Sequence, residues 1–553
     1  MKKFLAKLCA MLLAIAIAIP GVTAFADETE GLSPELQTQL IKLMTTDYTG
    51  KTVILHTNDV HGEIEGYAYV KAAKTLLEGK GAEVILVDCG DYSQGSTYVS
   101  VNKGKNAVTM MNAAGYDIAI LGNHEFDFGT SQLNKNLKKA KFRVLSANVC
   151  DSKGKNLFKQ NTIWVTKAGF NIGFFGLETP EAQTKSNPAT LGDVVISQGK
   201  DLYKDAQQQI DLLKESSDLI ICLAHLGIDE ETRPNNSLDV YSNTKGIDMI
   251  LDGHSHTVMT AGPEGEPIQS TGTKFENVGV VVIDNESKKI ESNMLIPVEA
   301  AKQYITPDVT VAKKSDKIIK KIQKAYGKVF ATSETLLNGE KAPGNRTEET
   351  NLGDLVADAM LWEITKQDSG LLVDKDHVVA ITNGGGIRAT IQPGNVTMND
   401  IKTVLPFGNT VTVVYITGAK LLEALEASTY CTPEAIGGFP QVAGIEYTIN
   451  TKKAFKQGKQ YPNSTYYAPK KIKRVTIKSI NGQEFDKKAL YAVVTNNFCA
   501  SGGDTYYAFA AAKSQFDTGF PLDDVLVEYI NEVLKDVISE ETYGAPQGRI
   551  TIK

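Results

Sequence analysis

The sequence predicts a two-unit α/β protein, and three observations support this prediction. Apolar runs alternate with amphipathic stretches through the first half of the 553 residues, as strands and helices do in layered α/β folds. A short polar motif follows the end of each of five of those runs. The alternation then gives way to a charged helical pattern over 299–345. Because a chain of this length rarely forms a single core, we expect two domains and a connector.

The apolar runs of the first unit, residues 49–298, are predicted to be buried strands because they are short and rich in aliphatic residues. They lie at 53–55, 84–87, 118–121, 144–146, 172–177, 219–223 and 249–251. Helical periodicity at about 68–78, 130–140 and 201–216 separates several of them. We therefore expect a buried sheet on which helices pack.

The second unit is predicted to span residues 346–553, after the connector at 299–345. Helical patterns at about 351–366 and 418–428 alternate there with strand runs at 378–382, 411–416 and 490–495. At the other end of the chain, residues 27–48 form an extension. Its Ser33-Pro34-Glu35 segment predicts the start of a helix.

The first 26 residues indicate an export signal. A positive start (Met1-Lys2-Lys3) precedes an apolar stretch at 8–19, and Ala24-Phe25-Ala26 forms a small-residue cleavage site. The apolar stretch is short for a membrane span, and no other segment suggests one. We expect cleavage after Ala26 and a protein that is secreted or retained in the cell envelope.

Composition and charge limit the partners. An apolar fraction of 42% with 22% charged residues is typical of a globular protein, and the net charge of −7 disfavours binding to a nucleic-acid polymer. Removal of the signal would leave five cysteines, so at most one or two disulfides are expected. Cys89 and Cys222 are predicted to be buried thiols. The sequence leaves the oligomeric state open.

The five polar motifs combine histidine with carboxylate and amide side chains. They are DVHG (Asp59, His61), DCGD (Asp91), GNHEFD (Asn123, His124, Asp127), AHLG (His225) and DGHSH (His254, His256). Each directly follows a predicted strand, and strand ends converge at one edge of a sheet. A single histidine in such a place is often only a hydrogen-bonded core residue. Together, the motifs predict a pair of divalent metal ions, because zinc, manganese and similar cations accept imidazole and carboxylate ligands.

Two ions need a shared ligand, and a carboxylate has two oxygens to offer. We predict Asp91 as the bridge. The remaining ligands divide into one set of Asp59, His61 and His256 and another of Asn123, His225 and His254. His56 lies within a strand run and is expected in the core or behind the ligands, whereas His377 is expected to be exposed.

The motifs LHTNDVHG, GNHEFDFG and DGHSH, with NGGGIR and NFCASGGD further on, resemble the secreted 5'-nucleotidase and UDP-sugar hydrolase family of calcineurin-like metallophosphatases. The resemblance covers nearly the whole chain after the signal. It implies a four-layer α/β/β/α metal domain, a helical linker and an α+β C-terminal domain that binds the substrate. It also implies hydrolysis of nucleoside 5'-phosphates by a metal-activated water that attacks phosphorus in line.

The resemblance also implies roles for individual residues. His124 would assist the departing 5'-oxygen, with Asp127 orienting its ring; alternatively, His124 is a metal ligand and Asp127 a helix cap. The residues expected to bind an AMP-like nucleotide are Arg346, Asn383, Gly386 and Arg388 on the phosphate or ribose side, Asp504 at the ribose, and Phe407 and Phe498 around the base. Stacking tolerates any base, so broad base specificity is expected. Without the resemblance, the two phenylalanines would be assigned to the core and Gly386 to a turn.

Other functions stay open at this stage. Within the same family, 2',3'-cyclic nucleotides, UDP-sugars or dinucleotides are alternative substrates. A further alternative is a non-catalytic extracellular protein that only binds nucleotides. With metals and base site in different domains, a hinge near the connector is expected to close over the substrate.

Overall fold

The computed structural model describes residues 33–366 and 370–553, so the predicted export signal lies outside the described residues. The description begins with helix α1 (Pro34–Thr45), at the predicted position. The Ser33 hydroxyl caps it by accepting a hydrogen bond from the Leu36 amide at 3.2 Å. Leu40 and Leu43 of this helix are buried in the core of the first unit. Among the described helices, none is both long and apolar enough to cross a membrane.

The first unit contains short strands separated by helices and turns. The strands are β1 (Lys51–Thr57), β2 (Glu83–Asp88), β3 (Ile118–Ile120), β4 (Arg143–Leu145), β5 (Val149–Asp151), β6 (Asn161–Val165), β7 (Asn171–Glu178), β8 (Val194–Ile196), β9 (Leu219–His225), β10 (Met249–Leu251), β11 (Val258–Met259), β12 (Ile268–Thr271), β13 (Asn277–Asp284) and β14 (Lys289–Pro297). The helices are α2 (Gly66–Gly79), α3 (Thr97–Ser100), α4 (Lys105–Ala114), α5 (Thr130–Leu137), α6 (Ala182–Lys185), α7 (Pro188–Leu191), α8 (Lys200–Leu213), α9 (Ser237–Asn243) and α10 (Val298–Ala301). The predicted strand and helix positions all fall on these elements.

These strands form two six-stranded sheets in the orders β14-β13-β1-β2-β3-β4 and β11-β12-β10-β9-β7-β6. Alternate residues of β1 show how the layers arise. Val53 and Leu55 pack under α1, α2 and α4, while Ile54 packs between the sheets against residues of β7 and β9. Helix α8 covers the outer face of the second sheet through Leu202 and Ile210. The first unit therefore has four layers: helices, sheet, sheet and helices.

The prediction of a single sheet edge for all five motifs is wrong. The motifs with Asp59, Asp91 and Asn123 follow β1, β2 and β3 of the first sheet, whereas those with His225 and His254 end β9 and follow β10 of the second. Apolar periodicity marks a strand as buried but carries no information about which sheet it joins. The site therefore lies where the carboxyl ends of two stacked sheets meet.

The predicted connector contains helix α11 (Val309–Tyr326), capped by the Asp308 carboxylate, which accepts hydrogen bonds from the Thr310 and Val311 amides. It packs on the first unit through Val311, and its lysine-rich side faces outward. The strand that follows, Val329–Ser333, pairs with strands of the second unit.

The second unit continues the numbering. Its strands are β15 (Val329–Ser333), β16 (Val378–Asn383), β17 (Gly394–Thr397), β18 (Thr410–Thr417), β19 (Pro440–Ala443), β20 (Ile445–Ile449), β21 (Gln457–Gln460), β22 (Tyr467–Pro469), β23 (Val475–Ile480), β24 (Leu490–Asn496), β25 (Ser514–Pro521), β26 (Val537–Ile538) and β27 (Ile550–Ile552). Its helices are α12 (Asn351–Thr365), α13 (Met398–Val404), α14 (Gly418–Ser428), α15 (Asn497–Ala500), α16 (Tyr507–Ala510), α17 (Leu522–Glu532) and α18 (Glu540–Tyr543).

A mixed sheet in the order β19-β16-β24-β18-β25 forms the centre of the second unit. Val378 of β16 packs with α12 and α17 on one face, and Val379 packs with α14 on the other. The turns after β16 and β24 carry the NGGGIR and NFCASGGD motifs to the side that faces the first unit. There the Asp504 amide donates to the Thr184 carbonyl at 2.7 Å, and Thr97 and Thr403 hydroxyls lie 3.1 Å apart.

Candidate metal centre and adjoining cavity

The loops that carry the candidate ligands have unusual backbone conformations. Asp59, His61, Asp91, His254 and His256 have φ values of 49°, 46°, 61°, 79° and 59°. Residues other than glycine rarely adopt this left-handed region, and such strain concentrates at functional sites. It turns the chain sharply after each strand, so that neighbouring side chains of one loop face the same point.

Two motif glycines allow these loops to pack closely. A Cβ on Gly122 would overlap Asp91 Oδ1, and one on Gly253 would lie 2.9 Å from Asp59 Oδ2. The loop of Asp91 is further held by the Glu125 carboxylate, which accepts from the amides of Asp91, Tyr92 and Ser93 at 2.8–3.0 Å. Sequence reasoning missed this role of Glu125, although it belongs to the GNHEFD motif.

The structure brings the predicted ligands together in one cluster. Three groups of donor atoms lie mutually within 4.8 Å: Asp59, His61 and His256; Asp91, His225 and His254; and His61, Asp91 and His124. The first two groups contain the histidines and carboxylates of the two predicted sets. The third includes His124, so geometry keeps the alternative of a His124 ligand open.

Individual distances show that the donors converge. His61 Nε2 lies 3.0 Å from His256 Nε2, and His225 Nε2 lies 3.2 Å from Asp91 Oδ2. The Asp59 Oδ1 atom is 3.4 Å from His256 Nε2 and 3.9 Å from His225 Nε2. Asp59 therefore lies close to histidines of both predicted ligand sets, a position that was predicted for Asp91 only.

Several of these atoms are buried without a partner. Within residues 33–366 and 370–553, Asp59 Oδ1, Asn123 Oδ1 and His225 Nε2 make no hydrogen bond. A buried polar atom without a partner costs roughly 1–3 kcal/mol, so such atoms seldom cluster without a reason. All three are ligand-type atoms; Asp59 and His225 belong to the cluster, and Asn123 lies in the wall of the adjoining cavity. This donor set therefore fits divalent cations.

In three of the candidate ligand histidines, one ring nitrogen contacts an oxygen atom, which leaves the second ring nitrogen for a cation. His61 Nδ1 donates to the Gln94 carbonyl at 3.3 Å, His225 Nδ1 to the Cys89 carbonyl at 2.7 Å, and His254 Nε2 to Glu181 Oε2 at 2.7 Å. Oxygen partners of this kind fix the tautomer and the ring orientation of metal-binding histidines.

Two groups of the cluster favour the protonation states that a cation requires. Burial, together with Arg388 and His256, lowers the pKa of His61 well below its usual value. Burial would raise the pKa of Asp91, but His225 and His124 hold it well below its usual range. Metals require neutral imidazoles and ionised carboxylates, which are the forms favoured for these two groups.

His124 and Asp127 form a close pair beside the cluster. His124 Nδ1 donates to Asp127 Oδ2 at 2.7 Å, and His124 Nε2 lies 3.9 Å from Asp91 Oδ2. Burial raises the pKa of Asp127 although His124 opposes the shift. The carboxylate thus orients the ring with Nε2 towards the candidate metal ligands. No helix amide donates to the Asp127 side chain among the described hydrogen bonds, so the cap alternative has no contact in its support.

A cavity of about 430 Å³ adjoins the cluster and lies between the two units. Its wall includes His124, Asp127 and every residue predicted to bind the substrate: Arg346, Asn383, Gly386, Arg388, Phe407, Phe498 and Asp504. It also includes residues that sequence reasoning missed, among them Lys185, Glu231 and Lys341. None of the three belongs to a recognisable motif, so the sequence carried no signal for them.

Two arginines of the cavity wall lack an acidic partner. Among the described residues, the guanidinium groups of Arg346 and Arg388 make no hydrogen bond or ion pair; Arg388 lies 5.8 Å above the ring of Phe407. Burial and the neighbouring Arg346 lower the pKa of Arg388 to about 10, so it stays charged at neutral pH. Unpaired guanidinium groups in a cavity wall are suited to an anion such as phosphate, which they bind through paired hydrogen bonds.

The two phenylalanines occupy different environments. The Phe407 ring is half-buried at the cavity wall, 5.6 Å from the His124 ring. Phe498 is 8% exposed and lies against Gly503, where a Cβ would come within 2.5 Å of the ring. One face of Phe498 is therefore covered by backbone, and the rest of its exposure is to the cavity.

Asn383 is engaged by protein groups. Its amide nitrogen donates to Asp504 Oδ2 at 2.9 Å, and its carbonyl oxygen accepts from Asn496 at 3.0 Å. Burial raises the pKa of Asp504 to about 6, against the opposing effects of Lys185 and Asn383. Asn383 thus orients Asp504, whose other carboxylate oxygen is left for a ligand in the cavity.

The remaining histidines and cysteines lie outside the cluster. His56 is fully buried behind it, 3.1 Å from Gln269, and burial lowers its pKa to about 4. His377 is partly exposed and contacts Asp376. Cys89 and Cys222 are buried thiols as predicted, and the five cysteines of the described chain are all free.

Comparison with known proteins identifies the two units. Residues 52–258 match the family model of calcineurin-like phosphoesterases, and residues 329–511 match that of the 5'-nucleotidase C-terminal domain. A 5'-nucleotidase of Vibrio cholerae is 30% identical over 537 residues, which cover 88% of this chain and 91% of the relative. The crystal structure of a 5'-nucleotidase precursor from Thermus thermophilus has a TM-score of 0.74 and 28% identity, covering 91% of this chain and 99% of that one.

Another relative is much longer than this chain. The trifunctional nucleotide phosphoesterase protein YfkN of Bacillus subtilis is 29% identical over 537 residues, and the match covers 87% of this chain. It covers 34% of YfkN, so the chain spans about a third of that relative's length.

Proposed function

The chain belongs to the 5'-nucleotidase family of calcineurin-like metallophosphoesterases, and from this premise we propose that it hydrolyses nucleoside 5'-monophosphates to nucleoside and phosphate. One observation carries the proposal. A cluster of unpartnered metal-type donors opens into a cavity whose wall holds two unpaired arginines. Such a site suits a phosphate ester, because both features favour a dianion.

The cluster would hold two divalent cations, zinc or manganese being the best matches to its ligands. The proposed ligands are Asp59, His61 and His256 for one ion, Asn123, His225 and His254 for the other, and Asp91 for both. Bound cations of this kind acidify water and neutralise charge on phosphoryl oxygens. The role of the protein is to hold neutral imidazoles and ionised carboxylates at the ends of two rigid sheets.

His124 is proposed to supply the proton that the departing nucleoside needs. The bond between phosphorus and the 5'-oxygen breaks as a water oxygen bonds to phosphorus, and the 5'-oxygen takes up a proton from His124 Nε2. The attacking water gives up one proton, and His124 regains its proton from solvent, so the products are the nucleoside and hydrogen phosphate. Asp127 supports this transfer because its carboxylate accepts from Nδ1 at 2.7 Å and stabilises the imidazolium. The pair faces both the cluster and the cavity, which is where the reacting bond would lie.

The second unit is proposed to bind the rest of the nucleotide. Arg346 and Arg388 would contact the phosphate or the ribose side, with Gly386 allowing close approach of the loop. Asp504, oriented by Asn383, would accept from the ribose hydroxyls. Phe407 and Phe498 would stack on the base, and we expect little discrimination among bases because every base has an aromatic face.

Cleavage of nucleotide esters other than monophosphates is the second candidate. The relative named trifunctional nucleotide phosphoesterase favours testing it, since that protein matches 87% of this chain. The substrates concerned are 2',3'-cyclic nucleotides and UDP-sugars or dinucleotides. The non-catalytic alternative has less support, because the predicted histidine and carboxylate ligands and the His124–Asp127 pair lie close together.

One assay separates these functions. Protein freed of metal by chelation is supplied with Zn²⁺, Mn²⁺ or Mg²⁺ and offered AMP, UDP-glucose, a 2',3'-cyclic nucleotide and p-nitrophenyl phosphate. We expect release of phosphate from AMP to be fastest. Preferred cleavage of the cyclic nucleotide or of UDP-glucose would establish the second candidate instead. If AMP binds but is not hydrolysed with any of the metals, the non-catalytic alternative is the one that remains.

We also propose that the protein acts outside the cytoplasm, on the evidence of the charged start, apolar stretch and cleavage site in residues 1–26. The amino-terminal residue of protein recovered from culture fluid or the cell envelope should be Asp27. An uncleaved protein found only in the cytoplasm would contradict export.

A further inference from the structure

We propose that Glu181 is a positioning residue of the metal centre, which fixes the tautomer and the orientation of His254. The inference rests on the proposed function, in which His254 is a metal ligand. Glu181 lies in the TPEAQTK segment, at the start of α6, 73 residues before His254. Neither its sequence context nor the metal motifs single it out.

The contact between the two residues is short and shielded from water. Glu181 Oε2 accepts a hydrogen bond from His254 Nε2 at 2.7 Å. The side chain of Glu181 is fully buried, and that of His254 is 7% exposed. A hydrogen bond to a carboxylate is stronger than one between neutral groups, and burial strengthens it further.

This hydrogen bond decides which nitrogen of His254 can bind a cation. A neutral imidazole that donates its Nε2 proton keeps its lone pair on Nδ1. His254 is grouped with Asp91 and His225 within 4.8 Å, so the ring has a donor atom at the cluster. The second anchor of this residue is its amide, which donates to Asp59 Oδ2 at 2.8 Å. Glu181 therefore fixes the ring while Asp59 fixes the backbone.

The neighbouring histidines show that Glu181 differs from the other orienting groups. His61 and His225 donate to the carbonyl oxygens of Gln94 and Cys89, which are uncharged backbone groups. Among these three contacts, only that of His254 is made to a side-chain carboxylate. The contribution of Glu181 to orienting the ring can therefore be removed by a substitution, whereas that of a backbone carbonyl oxygen cannot.

Both units hold the carboxylate in place. Lys185 Nζ lies 3.4 Å from Glu181 Oε2, and the Tyr466 hydroxyl of the second unit donates to Glu181 Oε1 at 3.5 Å. Lys185 also pairs with Glu231, so one ammonium group serves two buried carboxylates. The surplus negative charge next to His254 favours a cation on the opposite side of the ring.

The test compares metal binding by the wild-type protein with that of three variants. Protein stripped with chelator is titrated with Mn²⁺ and with Zn²⁺ by calorimetry, and retained metal is counted after dialysis. In Glu181→Ala, one of the two ions should bind about 10–100-fold more weakly, as found when such orienting partners are removed. Glu181→Gln keeps the acceptor and the shape but not the charge, so it should lose less.

Glu231→Gln is the matched control, because Glu231 belongs to the same buried cluster and contacts Lys185 but not His254. Its metal affinity should equal that of the wild type. Excess metal should restore kcat of Glu181→Ala, with KM for AMP little changed, which a general loss of folding would not allow. Tyr466→Phe, which removes only the hydroxyl, should weaken the same ion by a smaller factor.

The outcomes distinguish this inference from the proposed function. If the wild type binds two ions and hydrolyses AMP while Glu181→Ala and Glu181→Gln retain both ions with unchanged affinity, the positioning role is refuted and the proposed function stands. Should Glu181→Ala fail to fold, the isosteric Glu181→Gln decides by the same measurement. A wild type that binds fewer than two ions overturns the proposed function itself.

Discussion

Replacing His124 with alanine tests the proposed chemistry most directly, because the structure leaves two roles for this histidine. Its Nε2 atom lies 3.9 Å from Asp91 Oδ2, within reach of the metal cluster, and its Nδ1 atom is bonded to Asp127 at 2.7 Å. A proton donor and a metal ligand would both be lost in His124→Ala. The two roles differ in what happens to the bound metal.

The expected loss of rate follows from the role as a proton donor. A positioned general acid contributes roughly 10²- to 10⁴-fold to the rate, or about 2.7–5.4 kcal/mol of activation free energy. The companion variant Asp127→Asn removes the charge from the 2.7 Å hydrogen bond. Hydrogen bonds to charged groups contribute about 1.5–3 kcal/mol, so this variant should lose roughly 10- to 160-fold in kcat.

The assay measures kcat for AMP and the metal content of the same preparation. His124→Ala should lose rate while retaining two ions, since the predicted ligands do not include His124. His377→Ala serves as the control, because that histidine is partly exposed, its ring contacts Asp376 and Tyr491, and it does not belong to the cluster. Loss of a metal ion from His124→Ala in parallel with the rate would refute the role as proton donor and identify a ligand.

Three further predictions concern the base, the metals and the ribose. Phe498→Ala should raise KM for AMP by roughly 5- to 160-fold, the equivalent of about 1–3 kcal/mol of stacking, with little change in kcat. The control Phe516→Ala, on an exposed strand, should change neither KM nor kcat. An unchanged KM in Phe498→Ala would remove this ring from the site. Chelation should abolish activity and lower the melting temperature, because a ligand present at about 100 times its Kd stabilises the folded protein by about 2.7 kcal/mol. Added Zn²⁺ or Mn²⁺ should restore both the activity and the melting temperature. Full activity after exhaustive chelation would contradict a metal enzyme. Because Asp504 has a pKa of about 6, its carboxylate is ionised above that pH and protonated below it, so the inhibition constant of adenosine should rise as pH falls below 6. Adenosine has no phosphate to titrate, and a pH response that persists in Asp504→Asn would exclude this carboxylate as its source.

Much of the candidate metal site was predictable because its residues follow strands. Histidine and carboxylate at the ends of apolar runs mark positions where α/β sheets bind ligands. Asp59 after β1 and His254 after β10 belong to this class, and both lie in the cluster. The positions of β1 and β16 were predictable for a related reason, since each buried run is short and bounded by turn residues.

Other features depend on contacts between distant segments, which periodicity does not encode. The division of the strands into two sheets is one example, and the use of Asn383 is another. The sequence assigned Asn383 to the substrate, yet its amide is engaged by Asp504 and Asn496. Glu181 is a third example, because its importance arises only from the approach of His254 and of Tyr466 from the second unit.

The position of the cluster between the two sheets has a physical consequence. Asp59 and Asp91 come from the first sheet, whereas His225 and His256 come from the second, and each of the two predicted ligand sets draws donors from both. Without a cation, buried carboxylate and imidazole atoms from the two sheets face each other without partners, which costs free energy. A bound cation would compensate that cost and join the two sheets at their carboxyl ends. The same interactions would then hold the strained ligand loops and prepare the site for a phosphate. The stability of the first unit and its chemistry therefore depend on the same few atoms.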